Sequence, residues 1–167
     1  MALTIESGTG DPLADSYATA AELVAYAANY GVTAPATLAE QEVLLRRAAA
    51  AMNLLAWKGI RSVSGQALAW PRTDAVVHGE ILSTTAIPRE IVYGQMALAV
   101  EIAGYDVAPP QSVKGAVIEE TVDVLTIKYA TIDNAGKVLP VGANAPSRAL
   151  FADFLQGRGW NLKAVRA

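Results

Sequence analysis

The sequence predicts a mainly α-helical domain with one small β-hairpin (α+β): a compact bundle with an extended N-terminal arm and a C-terminal tail. Three observations carry this. Two capping boxes each open a run of helical period. A broadly apolar run follows Pro88. One segment near residue 125 alternates apolar and polar residues.

Residues 1–16 lack a periodic pattern and contain Gly8, Gly10 and Pro12, so they read as the arm. In Thr19-Ala-Ala-Glu22 the hydroxyl and the carboxylate each satisfy a backbone donor at a helix start. Leu23, Tyr26, Ala27 and Tyr30 fall on one face of that helix, which stops at Gly31. Thr37-Leu-Ala-Glu40 opens a longer helix, expected to reach Trp57, with Leu38, Leu44, Leu45, Ala48, Met52 and Leu55 inward. Arg46 and Arg47 lie about 100° apart around it, so both cannot face the core.

The stretch from Ile60 to Trp70 is irregular, and Pro71 removes a backbone donor and restricts Trp70. Residues 75–82 read as a short strand or an excursion. Pro88 starts a third helix to about Tyr105, with Ile91, Val92, Met96, Leu98, Ala99 and Ile102 apolar on several sides, which marks it as central. Leu125, Ile127 and Tyr129 alternate with Thr126 and Lys128 after Ile118 to Val122, predicting a hairpin over about 113–131 that turns near Asp123. Pro146-Ser147 opens a short helix, Ser147 to Gln156, with Leu150, Phe151, Phe154 and Leu155 inward. The single domain thus runs over 17–157 and the tail over 158–167.

Apolar residues make up 53% of the chain and charged residues 17%, below the quarter or so usual for a soluble domain. Either other protein copies cover some surface, or the domain exposes ordinary alanines. There is no cysteine, which excludes disulfides and zinc–thiolate sites and fits a reducing cytoplasm. The N-terminus does not read as a signal peptide, and Glu101 interrupts the best apolar run, so no membrane contact is expected. The net charge is −3, unevenly spread. Residues 1–45 hold six acids (Glu6, Asp11, Asp15, Glu22, Glu40, Glu42) and no Lys or Arg, whereas residues 134–167 hold five bases and one acid. The two ends either attract each other between neighbouring copies or decorate opposite ends of a monomer.

No enzyme motif is present, and no cofactor or metal site is expected. His78, the single histidine, reads as an exposed loop residue rather than a base. Glu119, Glu120 and Asp123 form the tightest acidic group, but alternate strand residues point to opposite faces, so they read as a solvated hairpin tip. Gly8-Thr9-Gly10 is too short for a dinucleotide or phosphate-loop fingerprint. A single-strand binder needs aromatics that stack bases beside a basic groove. Trp57, Trp70 and Tyr93 supply aromatics, with Lys58, Arg61, Arg72 and Arg89 near them in sequence. The acidic pI of about 5.1 argues against a dominant phosphate-binding surface, and the two tryptophans read first as core anchors. In the tail, Trp160, Leu162, Lys163 and Arg166 form an acid-free segment suited to docking on a partner through the indole.

The segment Gln66-Ala67-Leu68-Ala69-Trp70-Pro71-Arg72, with Ile87-Pro88-Arg89, resembles the tailed-phage head–tail connector family of adaptor and head-completion proteins. Asp15-Ser16-Tyr17, Trp57-Lys58-Gly59 and Glu120 to Tyr129 are similar to its other landmarks, although Asp123 stands where that family commonly has glycine. Related sequences often carry the label of DnaT-like single-stranded-DNA-binding protein. The resemblance implies a structural signature of Trp57, Gln66, Trp70, Pro71, Arg72, Pro88 and Arg89, with no catalysis. It implies a homo-oligomeric ring, commonly of twelve copies, in the virion neck and in the host cytoplasm during assembly. That ring would dock on the portal and on the next neck or tail component, with genomic double-stranded DNA passing through it without sequence-specific contact. The competing expectations are a single-stranded-DNA-binding replication accessory protein of DnaT-like kind and a small structural module.

Overall fold

The computed structural model describes residues 2–105, 120–122, 125–127 and 145–156. Both capping boxes form. Thr19 accepts from the Glu22 backbone at 3.2 Å while Glu22 accepts from the Thr19 backbone at 2.7 Å, opening α1 (Ala20–Tyr30). Gly31 ends α1 in the left-handed region at φ 66°, where a glycine pays no steric penalty. Thr37 and Glu40 repeat the arrangement at α2 (Leu38–Met52).

Helix α2 stops short of the expected Trp57. The Trp57 indole folds back and donates to the Met52 carbonyl at 2.8 Å, and Asn53 donates to the Ala67 carbonyl at 3.1 Å. These contacts replace the next helical turn with a reversal. Leu38, expected inward, is 62% exposed, because the buried stripe begins one turn later at Gln41. Leu44, Leu45, Ala48 and Met52 are buried as expected.

The chain then makes an excursion built from two minimal antiparallel pairs. β1 (Ile60–Arg61) pairs with β2 (Arg72–Thr73), and β3 (Val76–Val77) with β4 (Glu80–Ile81). The Trp70–Pro71 peptide is cis. Helix α3 (Arg89–Tyr105) follows, with the Pro88 carbonyl accepting its first hydrogen bonds. Ile91, Met96, Leu98, Ala99 and Ile102 are buried, and α3 packs on α1, α2 and α4. β5 (Glu120–Val122) and β6 (Leu125–Ile127) pair antiparallel, Val122 opposite Leu125. The last helix is shorter than expected: α4 (Pro146–Phe151) tightens into a 3₁₀ turn over Ala152–Phe154. The architecture is therefore mainly helical with small antiparallel β pairs.

Three polar devices order the N-terminal segment, the first within it and the other two fixing it on the domain. Glu6 is buried, and its carboxylate accepts from the backbones of Gly8, Gly10 and Asp11 at 2.8–2.9 Å. Gln95, fully buried on α3, accepts from the Tyr17 backbone and donates to Ser16 Oγ and the Leu45 carbonyl. Tyr17 Oη accepts from the Trp70 backbone at 2.8 Å, and burial pushes its phenol pKa up. These bonds satisfy groups that would otherwise be costly to bury.

Candidate functional site

The residues carrying the connector resemblance are mostly structural. Trp57 and Trp70 are buried, with Phe151 and Phe154, in an edge-to-face cluster whose ring centroids lie 5.1–6.0 Å apart. Gln66 is buried, donating to the carbonyls of Leu68 and Pro71 and accepting from the Val63 backbone. Pro71 is buried beside it. Arg72 donates to three backbone carbonyls, those of Lys58, Ala69 and Gly59, at 2.6–3.0 Å. Burial lowers its pKa, and three of its five N–H donors are taken up in clasping the excursion. Pro88 is half-buried and only Arg89, of this set, is exposed.

Other candidates are quickly placed. His78 is exposed, at φ 52° in the β3–β4 turn, with Nε2 3.4 Å from Asp153. Among the described residues no group of three or more histidines, cysteines or carboxylates is placed to hold a metal ion. Glu119, Asp123 and the tail residues Trp160, Leu162, Lys163 and Arg166 lie outside the described residues, as does the Glu120 side chain. An open groove of about 550 Å³ runs between α2 and the end of α3, lined by Pro35, Ala39, Val43, Leu44, Arg47 and Ala103 with Glu40. Glu40 is already engaged in the α2 cap, so the groove offers little chemistry beyond apolar contact and one guanidinium.

An aromatic–cation cluster sits where α1 ends beside the start of α3. Tyr26 and Tyr30, one helical turn apart, stack with centroids 4.4 Å apart and planes 27° apart. Tyr93 meets both edge-on, at 5.8 Å from Tyr26 and 6.3 Å from Tyr30. Arg89, one turn before Tyr93, lies over that ring with Cζ 4.4 Å from the centroid and donates to Tyr93 Oη at 3.0 Å. That hydrogen bond pushes the Arg89 pKa further up. Burial, with smaller contributions from Tyr30, Glu101 and Tyr93, raises that of Tyr26. At neutral pH Tyr26 is thus an uncharged phenol and Arg89 a cation. Tyr26 is buried as a base for the group, whereas Tyr30 stays 57% exposed.

The spacing predicts Tyr26 and Tyr30 on one face of the first helix, and the structure places Tyr30 at its exposed rim. The available signal was position: Tyr30 is the last helical residue before Gly31, at the rim rather than in the core. The Arg89–Tyr93 spacing of one turn was a second. No local pattern announces that Tyr30 meets Tyr93 across the fold.

The acids of the N-terminal segment are also accounted for internally. Glu6 closes its loop, Asp11 accepts from the Leu13 backbone, and Glu22 and Glu40 cap helices. Asp15 and Glu42 pair with Arg46 at 3.5 and 3.6 Å.

The whole chain, residues 1–167, matches the family described as "Putative DnaT-like ssDNA binding protein". Neither a curated protein nor a solved structure matches it. This overturns the connector expectation: nothing supports a virion ring of twelve copies, docking on a portal or a neck or tail component, or passage of genomic duplex DNA. Most of the residues behind that resemblance form the buried clasp around Trp70, whose contacts are internal to the domain. The chain belongs to the DnaT-like family.

Proposed function

We propose that this DnaT-like family member binds single-stranded DNA as a replication accessory protein, with Tyr30, Tyr93 and Arg89 at the contact surface. The observation that carries the reading is the exposed Tyr30 ring beside a tyrosine with an exposed arginine over it. An exposed aromatic face gains by covering itself with a flat base, and single strands offer such faces whereas a duplex hides them between neighbours. The guanidinium adds cation–π stacking and a donor for one phosphate. Trp57 and Trp70, the aromatics that first suggest stacking, are enclosed in the core and supply none of this.

Fluorescence anisotropy with a labelled oligothymidylate and a blunt duplex of equal length tests the reading. Saturable binding to the single strand and much weaker binding to the duplex are expected. The double variant Tyr30→Ala/Arg89→Ala should stay folded, losing under about 1 kcal/mol of stability, and lose about tenfold in affinity, as removal of one stacked base contact does. Equal affinity for the duplex, or an unchanged affinity in the folded variant, would contradict it.

A further inference from the structure

The outward face of α2 is laid out so that it complements itself. Glu40, Val43, Arg47 and Ala50 recur at spacings of three, four and three. With Ala39 they fall within about 100° of arc around the helix. All five are exposed, Val43 by 51%. Ala39, Glu40, Val43 and Arg47 form one wall of the α2–α3 groove.

The two charges on this face are available. Glu40 caps α2 through Oε2 alone, which leaves Oε1 open. Arg47 makes no hydrogen bond or ion pair among the described residues, whereas its neighbour Arg46 is engaged by Asp15, Glu42 and the Ala2 carbonyl. An acid and a base two turns apart, on either side of an exposed valine, match the same face turned end over end. Rotation about an axis beside Val43 sets Glu40 opposite the partner's Arg47 and Arg47 opposite the partner's Glu40. Val43 then meets the partner's Val43, and the small side chains of Ala39 and Ala50 let the helices approach closely. The low charged share of the chain, 17%, fits a surface that another copy covers.

We infer that a second copy of this chain docks on α2, the two helices antiparallel about a two-fold axis at Val43, with reciprocal Glu40–Arg47 pairs along one rim. The same patch serves both copies, so the contact closes at two and does not propagate. One helix face with two exposed ion pairs makes it weak and salt-sensitive. It is independent of the single-strand reading above and stands if that reading fails.

Sedimentation equilibrium of the full chain tests this. A monomer–dimer equilibrium is expected, with a dissociation constant of about 10 μM to 1 mM that rises with salt. Arg47→Glu and Glu40→Lys, each alone, should weaken self-association about tenfold or more, since like charges then face each other twice. Mixed in equal amounts, the two variants should pair with each other about as tightly as the wild type, because every facing pair is again opposite in sign. Glu40→Lys also disturbs the α2 cap, so Val43→Asp supplies a second break that leaves the cap in place. It should abolish pairing and keep a melting temperature near that of the wild type. A chain still monomeric at about 1 mM, assembly beyond a dimer, self-association that the variants leave unchanged, or folded charge variants that fail to pair when mixed would each overturn the proposal.

Discussion

The molecule contains two aromatic clusters with an arginine beside each, and they do opposite work. Around Trp70, four rings meet edge-to-face inside the domain, and Arg72 spends its guanidinium on three backbone carbonyls. Around Tyr93, three rings meet at the surface, and Arg89 spends its guanidinium on a ring face and one phenol. Both set an arginine beside packed aromatic rings. What differs is what the cation touches. A guanidinium that bonds three backbone carbonyls is part of the scaffold, while an exposed one beside a ring is available to a ligand.

Truncation separates the clusters most sharply. Trp70→Ala removes the one fully buried tryptophan among the described residues and should cost about 3–5 kcal/mol in a urea melt, as large-to-small core changes do. Tyr30→Ala, losing one exposed stack, should cost under about 1 kcal/mol. Similar costs for the two would erase the distinction. The arginines give the next effect. Arg72→Ala leaves three carbonyls without their charged donor and should destabilise by about 2 kcal/mol. Arg89→Ala should leave the melting temperature unchanged and weaken oligonucleotide binding. A destabilised Arg89 variant would mean that this cation, too, is scaffold.

The smallest effect is the response to alkali. Burial raises the Tyr17 and Tyr26 pKa values, so the native state holds these phenols neutral where the unfolded chain would ionise them. Their stabilising contribution is full below the ordinary tyrosine value of about 10 and is lost as pH rises through the raised native values. Chemical melts across that range should show a falling midpoint. Tyr17→Phe should flatten part of the fall and, by leaving the Trp70 backbone donor unpaired, lower stability at neutral pH by about 1–3 kcal/mol.

Much of the scaffold was legible because its signals are local. Thr19 with Glu22, Thr37 with Glu40 and the glycine at position 31 set helix boundaries within one turn. Trp70 before Pro71 marked a buried anchor at a sharp exit. The early end of α2 was not legible, because it depends on the Trp57 indole reaching back to Met52. Nor was the fate of the N-terminal acids, which looked like a field for a partner and are bonded within their own domain. The candidate site was half legible. Arg89 and Tyr93 are one turn apart and were both noted, but Tyr30 joins them from another helix, a contact with no trace in local spacing.

Photocrosslinking tests the central claim most directly. A single-stranded oligomer bearing 5-iododeoxyuridine, irradiated with the folded full-length chain and mapped by peptide mass spectrometry, should attach to Tyr30 and Tyr93. The yield should fall in Arg89→Ala and under competition by unlabelled oligothymidylate. Crosslinks that avoid both tyrosines and fall instead on the 58–87 excursion or the α2–α3 groove would contradict the assignment of this surface to single-stranded DNA.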